Sequence, residues 1–155
     1  DLHSFPTRRS SDLPGFDSWQ GVDVTTLDLR MVAPNREPPM DTAAVHAIEH
    51  LGASFLRNDA SWKERIVYFG PMGCRTGFYL LLFGLVKPRE ALSLIVRLFE
   101  FIASFEGEVP GARPKECGNW HDSDLAQARW WARRYLGNTL HGIDGAHLSY
   151  PGQQA

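Results

Sequence analysis

The residues that bind borderline metal ions and move protons recur in this chain at spacings that would bring them together. His46, Glu49 and His50 lie within Thr42 to Asn58, TAAVHAIEHLGASFLRN. Read as a helix, this stretch sets His46 and His50 one turn apart on one face, because residues four apart are neighbours at ~3.6 residues per turn. Glu49 lies beside them. Ala44, Ile48, Leu51 and Phe55 fall on the other side, so one face packs and the other offers two imidazoles and a carboxylate. Ala53 and Arg57 complete the polar face, with Ala53 small enough to leave room beneath an ion. Taken alone, an HxxEH string is as often a solvated helix face as a site.

The two cysteines strengthen the metal reading. Cys117 sits in Lys115 to Asp122, KECGNWHD, close to His121. His46, His50 and Cys117 make a His2Cys set, and three protein ligands leave the fourth tetrahedral position open for water or substrate. A closed structural site would need a fourth ligand, for which His121 is the nearby candidate. Nitrogen and sulfur donors suit Zn, Fe(II) or Co, and not Ca or Mg. Glu49, next to the ligands, is placed as a general base. Cys74 lies in Gly70 to Tyr79, GPMGCRTGFY, where three glycines and a proline describe a tight turn with the thiol at its apex. A guanidinium at Arg75 would favour the thiolate there, so Cys74 would act from the other side of the substrate.

These groups need elements to hold them. Val22 to Met31, VDVTTLDLRM, alternates apolar and polar residues and predicts a half-buried strand that carries Arg30. Gly15 to Gly21 reads as a turn-rich lead-in, and residues 33 to 40 as a proline-stiffened loop ending at an N-cap, Asp41 or Thr42. Ile66 to Phe69 is a short strand, and Thr76 to Val86 a buried one. Pro88 to Phe105 is amphipathic, with Ala91, Leu94, Ile95, Leu98, Phe101, Ile102 and Phe105 inward. A third helix spans about Ser123 to Leu136, with Leu125, Ala128, Ala132, Tyr135 and Leu136 inward and Gly137 as its stop. Arg129, Arg133 and Arg134 read as a solvated face, and the tail after about residue 137, with His141 and His147, as irregular.

Length and composition bound the rest. With 155 residues and 43% hydrophobic content, the chain suits one domain with a real core, over residues 14 to 155. Residues 1 to 13, DLHSFPTRRSSDL, lack periodicity and read as a disordered or foreign segment. A net charge of −2 gives no nucleic-acid footprint, so the expected partner is a small molecule or a protein. No apolar run is long enough to span a membrane. The two cysteines sit in different motifs and no leader is evident, which points to free thiols in the cytoplasm.

HAIEHLGASFLRND, GPMGCRTGFY, the strand LDLRMVAPN and the ECGNW stretch together resemble the S-ribosylhomocysteine lyase family, over about Val22 to Leu136. The resemblance implies an α+β fold, an antiparallel sheet with helices on one face, and a homodimer whose active sites are completed at the interface. It implies metal ligation by His46, His50 and Cys117, acid/base roles for Glu49 and Cys74, and a substrate contact at Arg30. The resident ion would be one divalent metal per subunit, Fe(II) first, with Zn or Co as substitutes. The activity implied is cleavage of S-ribosylhomocysteine to homocysteine and 4,5-dihydroxy-2,3-pentanedione, the autoinducer-2 precursor. In two places the chain departs from the family pattern: its opening lacks the Ser-Phe segment and following Asp-His, and Tyr68 stands where many members carry Asp. The rival readings are an HxxEH metallopeptidase, which would take a downstream Glu as third ligand, a closed metal-stabilised binding domain, and a folded but inactive lyase.

Overall fold

The computed structural model describes residues 15 to 143. Strands β1 (Gly15–Trp19) and β2 (Val22–Arg30) are followed by helix α1 (Thr42–Asn58), a 3-10 turn (Lys63–Arg65), strands β3 (Ile66–Pro71) and β4 (Gly77–Phe83), helices α2 (Pro88–Ser104) and α3 (Leu125–Asn138), and a final 3-10 turn (Leu140–Gly142). The strands form one antiparallel sheet in the order β1-β2-β4-β3. Together with three helices this is the α+β domain that the sequence implied.

Period-two patterning explains the sheet. Thr25, Leu27 and Leu29 of β2 stand opposite Leu82, Leu80 and Phe78 of β4, and all six are buried. The alternate residues point to the other face. Helices α1, α2 and α3 pack together, and α1 also packs on β3. Their buried stripes, Ala44, Ile48 and Leu51 of α1 and Ala91, Leu94, Leu98 and Ile102 of α2, fill the core against the sheet.

Several boundaries moved for physical reasons. The lead-in is a strand: Gln20 (φ 49) and Gly21 (φ 82) form a two-residue turn with positive φ at both positions, which closes β1 onto β2 as a tight hairpin. α3 starts later and runs through Gly137, because the side chain of Asp124 caps it by accepting from Gln127 N–H. Inside a packed helix a glycine costs only about 1 kcal/mol against alanine, too little to end it. Phe55 is half-buried, and Val45, Ala47, Gly52 and Leu56 join the buried face of α1. His141 lies exposed in the last 3-10 turn, 3.9 Å from Glu100. The expectations for residues 1 to 13 and for His147 fall outside the described residues. Among the described residues no helix is long and apolar enough to cross a membrane.

The seam between α1 and β3 is set by Gly52. A Cβ there would run into the ring of Phe69, which is buried and stacked on Phe78 with centroids 5.0 Å apart. The helix can lie this close to the sheet only without a side chain at 52. Gly52→Ala is expected to destabilise the domain by about 1 to 3 kcal/mol through overpacking, read as a lowered midpoint in urea unfolding. An unchanged midpoint would contradict the close approach.

Candidate active site

Helix α1 presents His46 and His50 as their spacing requires, and a loop from the end of α2 supplies the third donor. Turns hold that loop: Cys117 N–H donates to Arg113 O, Gly111 N–H to the Glu116 carboxylate, and Arg113 pairs with Glu108. The segment then returns to α1, where Asp124 N–H donates to Ala43 O. Cys117 is thereby brought to the imidazoles across more than sixty residues of chain.

The three donors converge. His46 Nε2 lies 2.9 Å from His50 Nε2 and 3.4 Å from Cys117 Sγ, and one ligand atom from each residue falls within 4.8 Å of the others. Two ligand atoms at tetrahedral angles around an ion about 2.1 Å away would stand about 3.4 Å apart. His46 Nδ1 donates to Asp122 O at 2.6 Å, which leaves the Nε2 lone pair facing the other donors. Burial, and then the neighbouring His46 ring, push the His50 imidazole below its ordinary value, favouring the neutral ligating form. Asn119 N–H donates to Cys117 Sγ at 3.4 Å. The donor set, the fixed tautomer and the close approach of the atoms fit a divalent ion with borderline preferences.

Room for the second ring comes from Gly111. Gly111 has φ +86, and a Cβ there would overlap the His50 imidazole. Only glycine combines that backbone conformation with that contact. His121 is exposed and lies against Trp120, the rings tilted by 31° with centroids 3.4 Å apart. Among the described residues it is not part of the ligand cluster, so the cluster has three members. Glu49 lies half-buried beside His50 and acts on it electrostatically.

The second chemical group is the exposed thiol of Cys74 in the β3–β4 turn, and both cysteines are free. Its acidity has a different origin from the one the sequence suggested. Arg75 has φ +58 and sends its guanidinium to Met40 O. The Cys74 thiol is held below its usual range first by a hydrogen bond with the Thr76 hydroxyl, and electrostatically by Arg30. Arg30 reaches from β2 to Thr76 Oγ1 at 2.6 Å and is gripped by both carboxylate oxygens of Asp28. Adjacency in sequence pointed to the wrong arginine, because strand pairing places Arg30 opposite Gly77. Thr76 and Asp28 were not singled out in the sequence; the strand alternation that placed Arg30 on the outward face also places Asp28 there.

The fold and the site define an α+β domain in which two imidazoles and a thiol that could hold a metal ion are brought together beside a carboxylate, with a second, exposed thiol in the β3–β4 turn. The family model described as S-Ribosylhomocysteinase (LuxS) matches residues 15–145, and the chain belongs to that family. A Finegoldia magna protein named S-ribosylhomocysteine lyase is 54% identical, with 97% of each chain covered. The protein of that name from Clostridium beijerinckii is 46% identical over 97% of this chain and 98% of its own. That from Borreliella burgdorferi is 47% identical over 87% and 85% respectively.

Gly111→Ala is expected to cut affinity for Co(II) at least tenfold, by pushing the His50 ring out of the cluster, while the far-ultraviolet circular dichroism stays unchanged. Competition with a chromophoric chelator measures it. Wild-type affinity in this variant would show that Gly111 does not make room for the ligand.

Proposed function

We propose that this chain cleaves the thioether of S-ribosylhomocysteine, releasing homocysteine and 4,5-dihydroxy-2,3-pentanedione. The observation that carries this reading is the convergence of His46, His50 and Cys117 on one open position beside Glu49, in a chain of this family. A divalent ion held by these three residues, Fe(II) in the first place with Zn or Co able to replace it, would supply Lewis acidity toward a sugar carbonyl. A peptidase of the HxxEH type would want a carboxylate as third ligand, and the third donor here is a thiol.

The remaining chemistry is proton transfer, and the chain provides two groups for it. Moving the carbonyl along the ribose takes a proton from one carbon and returns one to its neighbour, with oxygen charge shifting between them. Glu49, beside the ligands, serves as one acid/base group and Cys74 as the other. Once the carbonyl is beta to the sulfur, removal of the proton between them expels the homocysteine thiolate, which leaves protonated. Arg30, on the same face as Asp28 and next to the thiol system, is the substrate-orienting cation.

The sheet supports a homodimer that completes the site. The face turned away from the helices carries Trp19, Val22, Tyr68, Tyr79 and Phe83, with Trp19 77% and Phe83 44% exposed. An antiparallel sheet with one wet face would show polar residues there. Large apolar side chains exposed together on one face mark an interface, and Arg30 stands on the same face. A second copy covering it would meet the thiol side of the site.

Two outcomes test this reading. Co(II)-loaded Cys74→Ala and Glu49→Ala are expected to keep one metal per chain and lose at least a hundredfold in thiol release; Cys117→Ala loses both metal and turnover. Retained turnover in either of the first two would overturn its acid/base role. Phe83→Arg is expected to convert a dimer to monomer in sedimentation velocity, and a stable dimer in that variant would place the interface elsewhere.

A further inference from the structure

The direction of the hydrogen bonds around Cys74 follows from counting protons. Arginine has donors only, so Arg30 Nη1 donates to Thr76 Oγ1. Thr76 has a single hydroxyl proton, and its other neighbours are two sulfurs, Cys74 Sγ at 3.0 Å and Met72 Sδ at 3.9 Å. Cys74 Sγ lies within hydrogen-bond reach, and the thioether lies at the limit. Thr76 is only 7% exposed, which leaves little access for water as a competing acceptor. Behind Arg30, Asp28 fixes the guanidinium plane through two bonds.

We propose that Thr76 is a positioning residue for the lyase reaction, its hydroxyl oriented by Arg30 so that the proton points at Cys74 Sγ and stabilises the thiolate that accepts protons from the sugar. The inference rests on the reading of Cys74 as an acid/base group. In the forward transfer the thiolate sulfur bonds to a proton from carbon, and the pair from the broken C–H bond stays on the substrate as its carbonyl oxygen gains charge. In the return transfer the S–H bond breaks and the proton goes to the adjacent carbon. Thr76 keeps its own proton throughout. A thiol accepts less strongly than a thiolate, so the bond favours return of sulfur to the ionised state after each cycle.

The surroundings agree with this assignment. Arg30 from β2 is the charged group acting on the thiol, Asp28 stands behind it, and Arg75 is turned to Met40 O. The Thr76 hydroxyl is the largest cause holding the Cys74 thiol below its usual range. The position is held by backbone: Thr76 O accepts from both Met31 N–H and Val32 N–H. Valine at 76 keeps the branched shape and those two bonds and removes only the hydroxyl.

The test is the pH dependence of Cys74 alkylation by iodoacetamide in Co(II)-loaded protein, with Cys74 and Cys117 resolved by peptide mass spectrometry. Thr76→Val is expected to raise the midpoint by about one pH unit, as loss of a hydrogen bond to the charged form would. Thr76→Ser is expected to keep the wild-type midpoint. In thiol release the valine variant should lose kcat with little change in KM, and the acid limb of its pH profile should move up by the same amount. A valine variant that binds metal, shows wild-type circular dichroism and alkylates with the wild-type midpoint would overturn the proposal. So would a serine variant that shifts as far as valine. A raised midpoint together with full thiol release by Cys74→Ala would leave the hydrogen bond standing but remove the acid/base role of Cys74, and Thr76's part in the reaction with it.

Discussion

The hydrogen bond from His46 Nδ1 to the carbonyl of Asp122 is the constraint on which the site depends. It fixes which imidazole nitrogen faces the cluster, and it ties α1 to the loop that carries Cys117. The neighbouring bond from Asp124 N–H to Ala43 O fastens the same loop to the first turn of α1. These two bonds convert a helix-borne His pair, which two residues cannot make into a tetrahedral site, into a three-donor cluster with one side open. Gly111 then lets the loop pass against the His50 ring. A displaced loop would leave His46 and His50 as ordinary half-buried histidines.

The thiol system is tied to the segment that leads into the same helix. Met40, two residues before α1, donates its N–H to Arg75 O, while its own carbonyl takes the Arg75 guanidinium. The turn bearing Cys74 is thus sutured to the segment that starts α1, and β2 joins it through the Thr76 carbonyl and the Arg30 side chain. Further along, Arg134 of α3 bonds Met31 O and pairs with Glu37, whose other oxygen accepts from Ala33 N–H. The proline-rich passage between β2 and α1 is therefore braced from both sides. One short segment transmits its position to the thiol turn and to the helix that carries His46 and His50.

Much of this was legible from residue order because it depends on local periodicity. The helix from Thr42 to Asn58 has the bounds that its apolar spacing required, and the His pair with Glu49 follows from helix geometry alone. Cys117 entered through its chemistry as a third soft donor, and the fold brings it where that role needs it. What remained hidden depends on contacts distant in sequence. Gln20–Gly21 closes a hairpin whose first strand, GFDSW, is too short and polar to announce itself. Gly111 looks like loop filler until the His50 ring is seen against it. The assignment of Arg75 to Cys74 failed because a residue next in sequence can point away at positive φ, while strand pairing brings in Arg30. Thr76 lies within GPMGCRTGFY without being singled out by it, and only its place between a guanidinium and a thiol gives it meaning.

We propose that His46, His50 and Cys117 hold one ion and leave a position that the substrate takes. The absorption spectrum of Co(II)-loaded protein reads both properties at once. One Co(II) per chain should give a thiolate charge-transfer band that disappears in Cys117→Ala, and visible bands of a four-coordinate ion that shift when S-ribosylhomocysteine is added to a Glu49→Ala protein. A spectrum without thiolate character would exclude Cys117 as a ligand, and one that ignores the substrate at saturating concentration would exclude an open position at the ion.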